Sequence, residues 1–163
     1  MSLHQTTFAQ VCVVIAVLDF FVPSINKVAG MDGPMQALVR LITCSLMVLT
    51  LDALFIGVVM RDRYVRMISD VQKESLRLRF VPAVFASFLV AFGLWAITLS
   101  DGQPWNAQAQ KNAAIFGLSC FGIYNLTNLA TFSRWSPVNS AVDVTYGTCL
   151  CVAAYATTSL ILP

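Results

Sequence analysis

Four stretches of about twenty or more mostly apolar residues run through this chain, at roughly 35–60, 80–99, 109–132 and 140–162. A helix needs about 20 apolar residues to cross the hydrocarbon of a bilayer, so each stretch is long enough to span one. The expected fold is all-α, a polytopic membrane bundle of four long transmembrane helices. The composition agrees. Charged residues make up 11% of the chain, against about 25% in a soluble domain. With 163 residues, four spans leave no room for a separate soluble domain. The net charge of +2 forms no patch or arm, which excludes a nucleic-acid partner.

Segment ends carry ordinary breaking signals. Pro82 and Pro137 stand where helices tend to begin, and Asp101-Gly102-Gln103-Pro104 reads as a turn. A shorter apolar run, 8–22, contains Asp19 and stops at Pro23. No Lys or Arg precedes it and no small-x-small site follows directly, so it does not read as a signal peptide. It is expected to be a short, tilted or shallow membrane helix within an N-terminal extension of residues 1–34. Residues 35–163 form the four-helix domain.

Lys and Arg set the expected orientation. Arg61, Arg63, Arg66, Lys73, Arg77 and Arg79 cluster between the first two long spans, and Arg134 precedes the fourth. The opposite side holds Lys27, Arg40 and Lys111. The positive-inside rule puts loop 61–79 on the cytoplasm-like side and the C-terminus opposite. Tyr64 and Trp135 then suit the inner interface, and Trp105 the outer one. Within the loop, Val65, Ile68, Val71 and Leu76 have roughly helical spacing. That spacing fits an amphipathic helix lying on the inner surface, and equally a solvated linker.

Inside the spans, polar residues are conspicuous because hydrocarbon penalises them. An Asp at a helix centre costs roughly 2.5–3.5 kcal/mol on insertion scales. Asp52 lies ~12 Å from the inner end of the first span, and Asn125 and Asn128 lie ~6–11 Å from the inner end of the third. Asp143 sits near the start of the fourth. Three helices thus bring Asp52, Asn125, Thr127, Asn128 and Asp143 to the inner half of the membrane. Tyr124, Asn128 and Thr131 share one helical face, continued by Phe121 and Gly117. Asp143, Gly147, Cys151, Ala154 and Thr158 share another, lined mainly by small residues suited to close helix contact. Both faces are expected to point into the bundle. The bland reading is that amides and hydroxyls glue helices together at ~0.6–2 kcal/mol each. On that reading an Asp is neutral or paired with Arg61, Arg66 or Arg134. Asn125-Leu126-Thr127 matches a glycosylation pattern, but its place in a membrane helix excludes modification.

The five cysteines, Cys12, Cys44, Cys120, Cys149 and Cys151, all lie in apolar runs. Cys149 and Cys151 fall about 200° apart on a helix, so they read as packing residues. His4 has no second histidine beside it. No metal or cofactor is expected.

The residues of this polar layer resemble those of a bacterial-type family of membrane proteins catalogued as domain of unknown function 2177. The resemblance rests on Leu51-Asp52-Ala53-Leu54-Phe55-Ile56-Gly57, then Tyr64 and Arg66. Next comes Tyr124-Asn125-Leu126-Thr127-Asn128-Leu129-Ala130-Thr131 with Trp135, and finally Val142-Asp143-Val144-Thr145-Tyr146-Gly147. It covers about Met35 to the C-terminus. Asn125 stands where the family carries Asp. The resemblance implies a four-helix membrane domain and supplies no activity.

The expected function is an intramembrane site that binds or passes an ion, proton or small solute, in the manner of a transporter or channel. Asp52 and Asp143 would be its charged groups and Asn125, Thr127 and Asn128 its neutral ligands. Tyr64, Arg66, Tyr124, Thr131, Arg134 and Tyr146 would support them. The narrowness of a pore made by one such chain suggests a homo-oligomer. The rival is an accessory or assembly subunit of a larger membrane complex, with the polar layer as packing glue. An intramembrane enzyme fits least, since no nucleophile–base pair with His or Cys stands out. Purification separates the first two: a stable particle alone, or stoichiometric recovery with a large complex.

Overall fold

The computed structural model describes residues 33–74, 77, 79–100 and 105–162. The apolar run 8–22, with Asp19, His4 and Cys12, lies outside the described residues. Among the described residues, four helices are long and apolar enough to cross a membrane. The first, α1 (Gly33–Leu54), continues as a π-helical segment, Phe55–Val59. A short helix, α2 (Arg61–Gln72), follows after a bend at Met60. Then come α3 (Phe80–Thr98), α4 (Ala107–Thr131) and α5 (Pro137–Ile161).

The four long helices form a ring in which α1 touches α3 and α5, and α4 touches α3 and α5. Contacts at the two ends show each helix running antiparallel to the next. Tyr146 and Asp143 of α5 meet the end of α1 and α2 at one end. Arg40 of α1 reaches Leu99, and Tyr155 of α5 reaches Asn106, at the other. The helix starts are fixed locally. The Asn106 side chain accepts from Ala109 N at 2.7 Å, and the Ser136 hydroxyl from Asn139 N at 3.3 Å, ahead of Pro137 at the first turn.

Bulky apolar side chains point outward, among them Phe85, Leu89, Ile115, Ile123, Leu126 and Leu160. That is the pattern expected where lipid is the solvent. The interior instead uses small residues where helices cross. A Cβ added to Gly117 of α4 would stand 2.7 Å from the Gly147 carbonyl oxygen of α5. One added to Gly147 would overlap the Phe121 ring. The expected stripe Asp143, Gly147, Cys151, Ala154 and Thr158 is buried in full.

At the end far from α2 the core is closed, with Leu94, Leu99, Ala113 and Tyr155 among its buried members. Arg40 is also buried there, donating from one guanidinium nitrogen to the Leu99 carbonyl at 3.5 Å.

The loop 61–79 contains a helix, and its buried face is Tyr64 and Met67, flanked by Ile68 and Val71. Val65, assigned to the apolar stripe by spacing, is exposed. The buried face packs on Phe55, Met60 and Trp135, so α2 spends its apolar side on protein. Trp135, expected at the inner interface, packs against this face. It is buried and donates to the Ser140 hydroxyl at 3.0 Å. The helix ends at Lys73, whose φ of 60° is left-handed, with its N–H bonded to the Ser69 carbonyl at 2.9 Å.

Candidate functional site

The site is built around Asp143, nearly two turns into α5 and 5% exposed. A buried carboxylate must find donors or cost several kcal/mol. Two are supplied. The Tyr64 hydroxyl of α2 donates to Oδ1 at 2.6 Å, and the Asn125 amide of α4 donates to Oδ2 at 2.6 Å. The same Asn125 amide nitrogen also donates to the Phe121 carbonyl at 3.0 Å, which fixes its orientation. Charge-assisted bonds this short are among the stronger in proteins. Burial, then the Asp143 partner, raises the Tyr64 phenol well above its ordinary value, so it stands there as a neutral donor.

Tyr64 reaches Asp143 because α1 does not end as a plain α-helix. The π segment closes with Met60 N bonding the Phe55 carbonyl, five residues back, at 2.9 Å. Single π turns of this kind recur at functional sites. Phe55 lies flat on Tyr146, with ring centroids 3.5 Å apart and planes 3° from parallel. The Tyr146 hydroxyl donates to the Leu51 carbonyl at 2.7 Å. The turn is thus clamped to α5 beside Asp52, and α2 starts in the direction that carries Tyr64 to the carboxylate.

Asp52, on the last turns of α1, is half-buried with the Ser87 hydroxyl of α3 beside it. Asp52 and Asp143 face one cavity of about 440 Å³, in the lower part of the usual range for small-molecule pockets. Its wall includes Tyr64, Ser87, Cys120, Phe121 and Tyr124, and is otherwise mostly apolar. Among the described residues no Lys or Arg lines it. Arg61, Arg66 and Arg134, the expected cationic partners, are all exposed, and Arg66 bonds the Asp62 carbonyl of its own helix.

The structure brings Asp52, Asn125, Asp143, Tyr64, Tyr124 and Tyr146 together, but it turns α4 differently from the expectation. The buried line of α4 is Ala109, Ala113, Gly117 and Asn125, with Phe121 between the last two. Tyr124 is half-exposed at the cavity edge, set edge-on to Trp135. Thr127 and Thr131 face outward, and the Thr131 hydroxyl bonds the Thr127 carbonyl at 2.8 Å. Thr127 is therefore no part of the interior layer. Asn128 is half-buried next to Tyr124, with its amide nitrogen making no hydrogen bond among the described residues. Ser87 and Cys120 were not singled out from the sequence. A hydroxyl in the otherwise apolar α3 was the signal for Ser87. Cys149 is exposed and Cys151 buried, on opposite faces as their spacing requires.

The family model described as "Predicted membrane protein (DUF2177)" matches residues 37–160, which contain every group of the site. The chain belongs to this family. It is an integral membrane protein of an uncharacterised family, and the expected resemblance holds over the four-helix region. Comparisons with curated proteins and with solved structures found no match.

Proposed function

We propose that the cavity between Asp52 and Asp143 binds a cation or cationic solute and passes it through or into the membrane. The observation that carries this reading is the division of labour between the two carboxylates. Both Asp143 oxygens are already held by fixed neutral donors, whereas Asp52 has a single hydroxyl beside it and faces the same space. Two acidic groups in an apolar wall without a basic residue favour positive charge. Asp143 sets the local field and Asp52 meets the ligand. In this proposal the α2 end, rich in arginine, faces the cytoplasm-like side.

The test is purified protein in liposomes, assayed for cation- or proton-dependent flux. Asp52→Asn is expected to abolish flux while lowering stability by under about 1 kcal/mol, since an amide still accepts from Ser87. Asp143→Asn is expected to cost about 1–3 kcal/mol, because its new amide nitrogen sets a donor against a donor. Unchanged flux in Asp52→Asn would remove the reading.

A second reading, an accessory subunit of a larger complex or of a homo-oligomer, draws on a different observation. An open groove of about 620 Å³ runs along the outer surface between α4 and α5, past Leu118, Gly122, Leu126, Ala141 and Thr145. A helix of another chain fits such a groove. Stoichiometric copurification lost in Gly122→Trp would favour it.

A further inference from the structure

Among the described residues the cavity is not closed on all sides, and the place where it opens bears on what enters. No residue of α3 from Phe80 to Leu89 is buried, whereas Ala91, Leu94 and Thr98 beyond them are. Ala83 and Ala86 line the cavity and are nonetheless exposed. Tyr124, at the α4 edge of the same cavity, is 53% exposed. The opening therefore lies at the first half of α3, between Ala83 and Ala86 on one side and Tyr124 on the other. It is flanked outside by Val84, Phe85, Phe88 and Leu89, all exposed. Ser87 stands seven residues into α3, so it lies ~10 Å along the helix from its start. A span of 19 residues just matches a hydrocarbon core of about 30 Å, so a crossing α3 would hold Ser87 within the acyl region rather than in bulk water.

We infer that the ligand is a lipophilic organic cation that enters from the bilayer beside α3, with its charge at Asp52 and its apolar body along the wall. This deepens the proposed function and rests on it. Three features select this class over a bare metal ion. First, the described residues hold no group of three His, Cys, Asp or Glu side chains able to bind a metal ion. The Asp143 oxygens are moreover already engaged, so a hard cation would meet too few oxygen ligands. Second, the wall is mostly Val48, Ile56, Ile68, Val90 and Leu150 with the rings of Phe121 and Tyr124, which suit an apolar body and a cation over an aromatic face. Third, a gap toward lipid serves a solute that partitions there and is of little use to a hydrated ion.

The experiment uses the full chain in nanodiscs, with empty discs subtracted. The probes are tetraphenylphosphonium and tetraphenylborate, which share a shape and differ in the sign of their charge. Tetraphenylphosphonium is expected to bind saturably, and tetraphenylborate is not. Asp52→Asn should weaken binding of the cation at least tenfold. Ala86→Trp, which fills the opening at an exposed position and leaves both carboxylates in place, should do the same. Equal binding of the two probes, or binding unchanged in both variants, would overturn the inference. If sodium, potassium or protons stabilise the parent through Asp52 while tetraphenylphosphonium does not bind, the ligand class is wrong and the cation site stands. If neither has an effect on the parent, both fail.

Discussion

The two ends of the helix ring are built from the same four helices and solve opposite problems. Far from α2, the core closes on Leu94, Leu99, Ala113 and Tyr155, and α3 contributes buried side chains at every turn. Near α2, the first half of the same α3 buries nothing, and the space it leaves is lined by Asp52 and Asp143 with Tyr64 and Tyr124 beside them. In lipid there is little hydrophobic force to pull helices together, so close packing needs small residues at the crossings. The crossing at Gly117 and Gly147 supplies that contact. Stability is therefore concentrated in the α4–α5 pair and the far core, which lets the near end of α3 stand away.

That contrast can be broken by substitution. The largest effect is expected at the crossing. Gly117→Val should cost about 3 kcal/mol or more, because backbone atoms of α5 occupy the space and cannot yield. Unfolding by increasing denaturing detergent measures it, and a cost below about 1 kcal/mol would show that the helices can part freely.

Tyr64→Phe comes next. It leaves Asp143 Oδ1 without its donor at an expected cost of about 1.5–3 kcal/mol. The same residue gives a dependence on pH. The Tyr64 phenol is raised when folded, so below the ordinary tyrosine value of about 10 both states keep the proton and nothing changes. Above it the unfolded chain loses the proton first, and stability falls as pH rises toward the folded value. Tyr64→Phe should lack that part of the slope. A parent slope identical to the variant's would place the phenol in water.

The smallest effect sharpens the comparison from outside. Thr127→Val, in the polar run yet facing outward, should change stability by under about 0.5 kcal/mol and leave flux unaltered. A larger cost would mean the outer face of α4 is covered by another chain.

How much of this was legible follows from what each kind of residue reports. Length and hydropathy give the four spans, and Asp52, Asn125 and Asp143 stand out because hydrocarbon makes them expensive. The face of α4 was not legible from its polar residues. Tyr124, Asn125, Thr127, Asn128 and Thr131 spread over about 160° of the helix, and only Asn125, at one edge of that arc, is buried. A membrane helix lacks the polar-versus-apolar asymmetry that orients a soluble one. Spacing of small residues was the better guide, since Ala109, Ala113 and Gly117 recur every fourth position and lead through Phe121 to Asn125. For α2, Tyr64 and Met67 were outweighed by the more apolar Val65, although their amphipathic bodies suit a buried edge. The opening beside α3 is a matter of how helices splay, and no local pattern in that uniformly apolar segment reports it.

The π turn makes the site a matter of counting residues. Each residue of an α-helix advances the side chains by about 100°. Removing one residue from Phe55–Val59 would restore ordinary α-helical pairing and carry everything after it round by that angle. Tyr64 would swing off Asp143 while Asp52, before the turn, stayed where it is. The chain thus carries an indexing step between its two carboxylate neighbourhoods. A one-residue deletion there should act on the site more severely than most side-chain replacements within it.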